Sequence, residues 1–160
     1  MNTLLRNVAI VLAAALAAVG CSSDQTTRDE TGAIVEEGDL GVFAVQEGDC
    51  INIPSATNEI STFTGVACTE PHDGQVFAAF DYEADAFPGS ATLQAAADEG
   101  CVERFETFIG VAYVESIYYM QTFIPTEDGW DTIDDREILC VVVPESGSEQ
   151  LTQDLEGIGE

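Results

Sequence analysis

Lysine is missing from this chain and arginine is scarce. Arg6, Arg28, Arg104 and Arg136 stand against 30 acidic residues, for a formal net charge of −26 at pH 7. Phosphate backbones are bound by clusters of Lys and Arg, so nucleic acid is excluded as a partner. The same scarcity leaves no polybasic stretch to hold anionic headgroups. Histidine occurs once, as His72, and tryptophan once, as Trp130. The cysteines form no Cys-x-x-Cys pair, which with a single histidine argues against a zinc site. Neither Gly-x-Ser-x-Gly nor His-Glu-x-x-His occurs, so the common hydrolase signatures are missing. The apolar run at residues 8–19 falls short of the about 20 residues a membrane span requires.

That short run is nonetheless informative. Arg6 precedes it, small Gly20 follows it, and Cys21 opens a polar stretch. The order of a positive start, an apolar stretch and a small residue is that of a secretory leader covering residues 1–20. A plain cleaved leader with a coincidental cysteine fits the same residues, as does an uncleaved anchor. Ala18-Val19-Gly20-Cys21 resembles a lipobox, with Ala18 where Leu is the usual choice, and favours lipid attachment to Cys21. Each buried CH₂ contributes about 0.8 kcal/mol and one chain alone binds marginally, whereas the two chains of a diacylglycerol anchor stably. The expected address is the extracytoplasmic face of the cell membrane, with the bilayer as a partner through Cys21.

Four cysteines remain: Cys50, Cys68, Cys101 and Cys140. An even number in an exported domain implies two disulfides, and four cysteines allow three connectivities. The favoured pairing is Cys50–Cys68, bridging neighbouring strands, with Cys101–Cys140, stapling a helix to the last strand. Each is expected to contribute about 2–4 kcal/mol.

Residues 21–41 are polar and acidic without a sustained apolar period, and are expected to form a tether. Fully extended, about 20 residues reach roughly 70 Å. Ala33-Ile34-Val35 has the character of a short strand within it. The folded domain is expected over residues 42–144, and an acidic tail over 145–160, with Leu151, Leu155 and Ile158 as weak contacts. Strands are predicted at 42–45, 50–53, 62–68, 75–82, 116–124 and 136–143 from β-branched and aromatic content between turn residues. A helix is predicted over 91–109, with Ser90 as N-cap and Gly110 as stop. Leu93, Ala97, Cys101, Phe105 and Phe108 step along one face of it at helical spacing. The fold class is α+β: a mainly antiparallel sheet with one long helix packed across it.

Several short signatures then coincide. They are Gly48-Asp49-Cys50, Cys68-Thr69-Glu70-Pro71-His72-Asp73-Gly74 leading into a strand, Pro88-Gly89, Cys101 followed by Phe105, Phe123-Ile124-Pro125, Trp130, and Asp135-Arg136 before Cys140. Together they resemble the septum formation domain of actinobacterial exported and membrane proteins, over residues 42–143. Asp134 stands where that family more often has Gly. The resemblance implies an extracytoplasmic, disulfide-bonded domain linked to septation or the envelope, and supplies no catalytic mechanism.

The candidate contact residues are His72, Trp130 and Arg136. His72 is expected to be a turn residue bonded to backbone, because no nucleophile signature accompanies it. Arg136 is expected to pair with a carboxylate inside the domain, such as Asp49 or Asp135, in preference to binding a substrate. The run from Asp128 to Asp135 is acidic but lacks the ligand order of a calcium loop, and is expected to be a solvated turn. Tyr113, Tyr118, Tyr119 and Trp130 fit core packing, with an exposed recognition cluster as the other reading. No catalytic residue, metal or cofactor is expected. The expected function is a non-enzymatic envelope module that contacts an envelope protein or glycan. The alternative is a lipoprotein that binds a small molecule, cation or glycan.

Overall fold

A computed structural model describes residues 25–55, 59–146 and 149–160. Cys21 and the leader lie outside the described residues. Among the described residues, eight strands and two α-helices form: β1 (Thr27–Arg28), β2 (Ile34–Glu36), β3 (Gly38–Gly41), β4 (Cys50–Asn52), β5 (Thr62–Val66), β6 (Gly74–Asp81), α1 (Ser90–Ile109), β7 (Tyr119–Phe123), α2 (Glu127–Ile133) and β8 (Glu137–Val143). Strands β3 to β8 make one antiparallel sheet in the order β3-β5-β4-β6-β8-β7. The fold is therefore α+β with one long helix against the sheet, as the sequence leads one to expect.

The sheet has two unlike faces because side chains alternate along each strand. On β8, Ile138, Cys140 and Val142 join the core beneath α1, while Leu139 and Val141 join a second core on the opposite face. Leu93, Ala97, Cys101, Phe105 and Phe108 are all buried along α1, so the predicted stripe is the packed face. Gly100 lets the helix come close: a Cβ there would meet the Phe80 ring at 2.5 Å. The Cys101–Cys140 disulfide ties α1 to β8 (Cα–Cα 5.7 Å), and Cys50–Cys68 ties β4 to the turn after β5 (5.2 Å). Both predicted pairings are present. Gly110, in the left-handed conformation, ends α1. Its N-cap is Gly89 rather than Ser90, with no side-chain cap bond.

The tether expectation needs correction at residues 25–41. Those residues belong to the domain: β1 and β2 form a hairpin, and β3 is an edge strand paired with β5 from Gly38↔Gly65 to Gly41↔Thr62. Arg28 donates from Nη2 to Asp49 Oδ2 at 2.7 Å, and Ile34 and Leu40 are buried against the second face. A Cβ on Gly65 would collide with Ile34 and Thr26 at 2.7 Å, so glycine there lets the hairpin lie on the sheet. Two strands of two and three residues carry too few apolar positions for a period to show. Residues 42–44, expected as a strand, form a 3₁₀ turn instead.

The expected tail is a strap. The backbone of Leu151 exchanges two hydrogen bonds with that of His72, at 2.9 and 2.8 Å. Gln75 donates to Asp154 at 2.8 Å and accepts from the Leu155 amide at 2.7 Å. Leu151 and Leu155 are buried in the core under α1. The domain thus takes in both flanks that the sequence assigns to tether and tail. Helix α2 replaces the turn expected between Pro125 and Trp130. Thr126 caps it, its Oγ1 accepting from the Gly129 amide at 3.0 Å.

Candidate functional site

The three expected contact residues do not meet at one surface. His72 is fully buried beside the C-terminal strap. Its Nδ1 lies 2.8 Å from the Glu70 carbonyl, which only accepts, so Nδ1 carries the proton and Nε2 the lone pair. Nε2 is buried without a partner. Burial holds the imidazole below the usual histidine pKa, against the opposing pull of the Glu70 carbonyl, Asp73 and Asp154. His72 is thus a buried residue held to the backbone of its own turn.

Trp130 and Arg136 are brought together, facing inward. Trp130 is buried on α2, the Arg136 guanidinium lies 3.6 Å from its ring centroid, and Phe87 meets it edge-on. Arg136 also donates to the carbonyls of Trp130 and Asp135, and pairs with Asp134 at 2.7 Å. The expected carboxylate partner within the domain is therefore Asp134; Asp49 belongs to Arg28, and Asp135 accepts from Arg136 through its backbone carbonyl. The aromatic cluster is likewise not a surface. Tyr118 is buried and Tyr113 packs edge-on against Phe105, which leaves Tyr119 exposed.

An opening does exist on the second face of the sheet. The N-terminal hairpin covers only part of that face. Beside it lies a cleft of about 290 Å³ between the 3₁₀ turn, Glu59-Ile60, the end of β7 and β8. Its floor is apolar: Phe63 and Phe123 meet edge to face at 5.2 Å, with Leu139 beside them. A second, more open hollow of about 430 Å³ adjoins it, sharing Phe43, Asp135 and Glu137 and adding Asp81, Ile133, Asp134 and Arg136. Phe43 and Ile133 are 62% and 60% exposed at its lip.

The rim is acidic. Asp81 and Glu137 sit directly opposite each other on β6 and β8, an arrangement that like charges make unfavourable. Burial raises the carboxyl pKa of Asp135, with Glu59 and Asp81 adding to it and Arg136 opposing. Burial likewise raises Glu137, reinforced by Asp81 and Asp135. Carboxyls pushed up by desolvation and like neighbours within a cleft mark a candidate site on physical grounds. No sequence motif announces it. Glu59, Asp81 and the Asp135–Glu137 pair come from three separate segments that only the antiparallel pairing assembles. Among the described residues, no three His, Cys, Asp or Glu side chains converge to hold a metal ion.

The family model for septum formation matches residues 18–119 and, in a second overlapping alignment, residues 47–158. No curated protein matches the chain, and no solved structure does. The matched stretches take in the whole sheet, α1, the cleft and the strap that closes over His72. From the signatures around Cys68 and His72 to that strap, the chain belongs to the septum formation family.

Proposed function

We propose that the chain is an extracytoplasmic, lipid-anchored docking module of the cell envelope, which serves septum formation by binding and not by turnover. The observation that carries this reading is the apolar, acid-rimmed cleft on the half-covered sheet face. Neither imidazole nor described thiol reaches the cleft: His72 is sealed in the core, and Cys50, Cys68, Cys101 and Cys140 are oxidised. Family membership supports a role in division or the envelope, and Ala18-Val19-Gly20-Cys21 supports anchoring at Cys21. Mass spectrometry of the protein extracted from membranes tests the anchor: a diacylglyceryl-modified Cys21 is expected, and an unmodified thiol would reject it. A fluorescent fusion, with crosslinking in dividing cells, tests the role. Enrichment at the septum with a crosslinked envelope protein is expected. Uniform fluorescence without a crosslink would count against it.

A second reading, a small molecule or glycan in the cleft, is favoured by its volume, which sits at the lower edge of ligand sites. Thermal shift with sugars, peptidoglycan fragments and Ca²⁺ separates the two, since a docking module gains no stability from them.

A further inference from the structure

We infer that the cleft takes a segment of another polypeptide in which a basic side chain stands next to an apolar one. This deepens the docking reading and rests on it. Two properties of the site select that chemistry. The floor of Phe63, Phe123 and Leu139 needs an apolar cover, and the rim of Glu59, Asp81, Asp135 and Glu137 needs a cation. A lysine or arginine supplies both at once, laying its aliphatic stem on the rings while its head reaches the carboxylates. A neighbouring apolar side chain would cover Phe43 and Ile133 at the lip of the adjoining hollow. The two hollows share three lining residues, so together they suit several consecutive residues better than a single amine.

Among the described residues, no arginine is free to supply that cation. Arg28 is bound to Asp49, Arg136 to Asp134 and the Trp130 ring, and Arg104 to the Gly100 carbonyl over Phe80. A second copy is also a poor occupant, because a net charge of −26 sets two copies against each other. An incoming cation would relieve the repulsion between Asp81, Asp135 and Glu137, whose one basic neighbour in the hollow, Arg136, is already engaged by Asp134 and the Trp130 ring.

The test is an NMR titration of the purified, disulfide-oxidised protein with two peptides of equal charge. One is blocked Gly-Leu-Lys-Phe-Lys-Leu-Gly, and the other is the same peptide with glycine for each apolar residue. The first is expected to shift the amides of Thr122, Phe123, Glu137 and Leu139 saturably, and to bind roughly ten-fold tighter than the second. The double variant Asp135→Asn, Glu137→Gln should weaken it by a further order of about ten-fold. Phe43→Ser, at an exposed position, tests the lip without burdening the core, and should weaken the first peptide only. Equal binding of both peptides would reduce the effect to bulk charge and overturn the inference. So would shifts confined to other surfaces, displacement of the peptide by peptidoglycan fragments, or self-association in ultracentrifugation that involves the cleft. A septal partner that crosslinks elsewhere would sink the cleft assignment and leave the docking reading standing.

Discussion

The two faces of the sheet are covered in different ways. One lies under a single 20-residue helix, stapled by Cys101–Cys140 and closed by the strap at Leu151 and Leu155. The other lies under short pieces: a hairpin, an edge strand and a 3₁₀ turn, held by Arg28 on Asp49. A continuous amphipathic helix seals the surface it covers. Piecemeal cover leaves a gap, and the gap is where Phe63 and Phe123 meet solvent-facing carboxylates. The stable face keeps the sheet, and the incomplete face is free to bind.

The largest break in this comparison comes from the staple. Replacing Cys101 and Cys140 together by alanine is expected to cost about 2–5 kcal/mol in denaturant unfolding. The same change at Cys50 and Cys68 should cost about 0.7 kcal/mol less on loop entropy alone, since 18 residues separate that pair against 39. Next comes Arg28→Ala, which leaves the buried Asp49 carboxylate without its cation and should cost about 2 kcal/mol. Hydrogen exchange separates the faces: amides of β1 and β2 should lose protection in this variant, while those of α1 keep it.

Acid should move the faces in opposite senses. Folding holds His72 below its ordinary pKa, so the unfolded chain binds a proton more readily. Its contribution is therefore complete above the unfolded value near about 6.5 and declines as pH falls below it. Asp135 and Glu137 are raised instead, so the folded chain binds protons more readily, and lowering pH through their folded values relieves strain at the cleft. Unfolding measured from pH 8 to 5 should show less acid loss in His72→Gln than in the parent. The smallest expected effect is that of Glu137→Gln, a gain of about 0.5 kcal/mol at neutral pH from removing one of two opposed like charges. That gain should vanish once both carboxyls are protonated.

What the sequence reveals follows the same division. The stripe from Leu93 to Phe108 repeats over about four turns, so α1 is legible from spacing, and Cys101 within the stripe is placed to reach a sheet strand. Strands β5, β6 and β8 are legible from their β-branched and aromatic runs. The opposite face is built from isolated residues, Ile34, Leu40 and Val45, whose burial depends on strand pairing across tens of residues. The strap is hidden similarly, because Leu151 and Leu155 stand alone in an acidic stretch. Helix α2 is hidden by Gly129 in its interior and by its two-turn length. Of the site, the sequence singles out Trp130 and Arg136 for their rarity, and they prove to be a packed support for the turn that carries Asp135. The cleft residues themselves are ordinary acids and phenylalanines until the sheet aligns them.

Arg28 on Asp49 and the pairing of Gln25 with Asp39 bring the folded domain to within four residues of Cys21. From Cys21 to Gln25 is four residues, a span of at most about 14 Å against the roughly 70 Å of a 20-residue leash. With Cys21 lipidated as proposed, the domain would ride on the headgroups within about its own radius instead of sweeping the space above. Its search for a partner becomes nearly two-dimensional. A membrane-bound partner would then meet the cleft at an effective concentration far above its bulk value. A weak contact between one basic side chain and four carboxylates would be enough in that setting, and would be easily reversed.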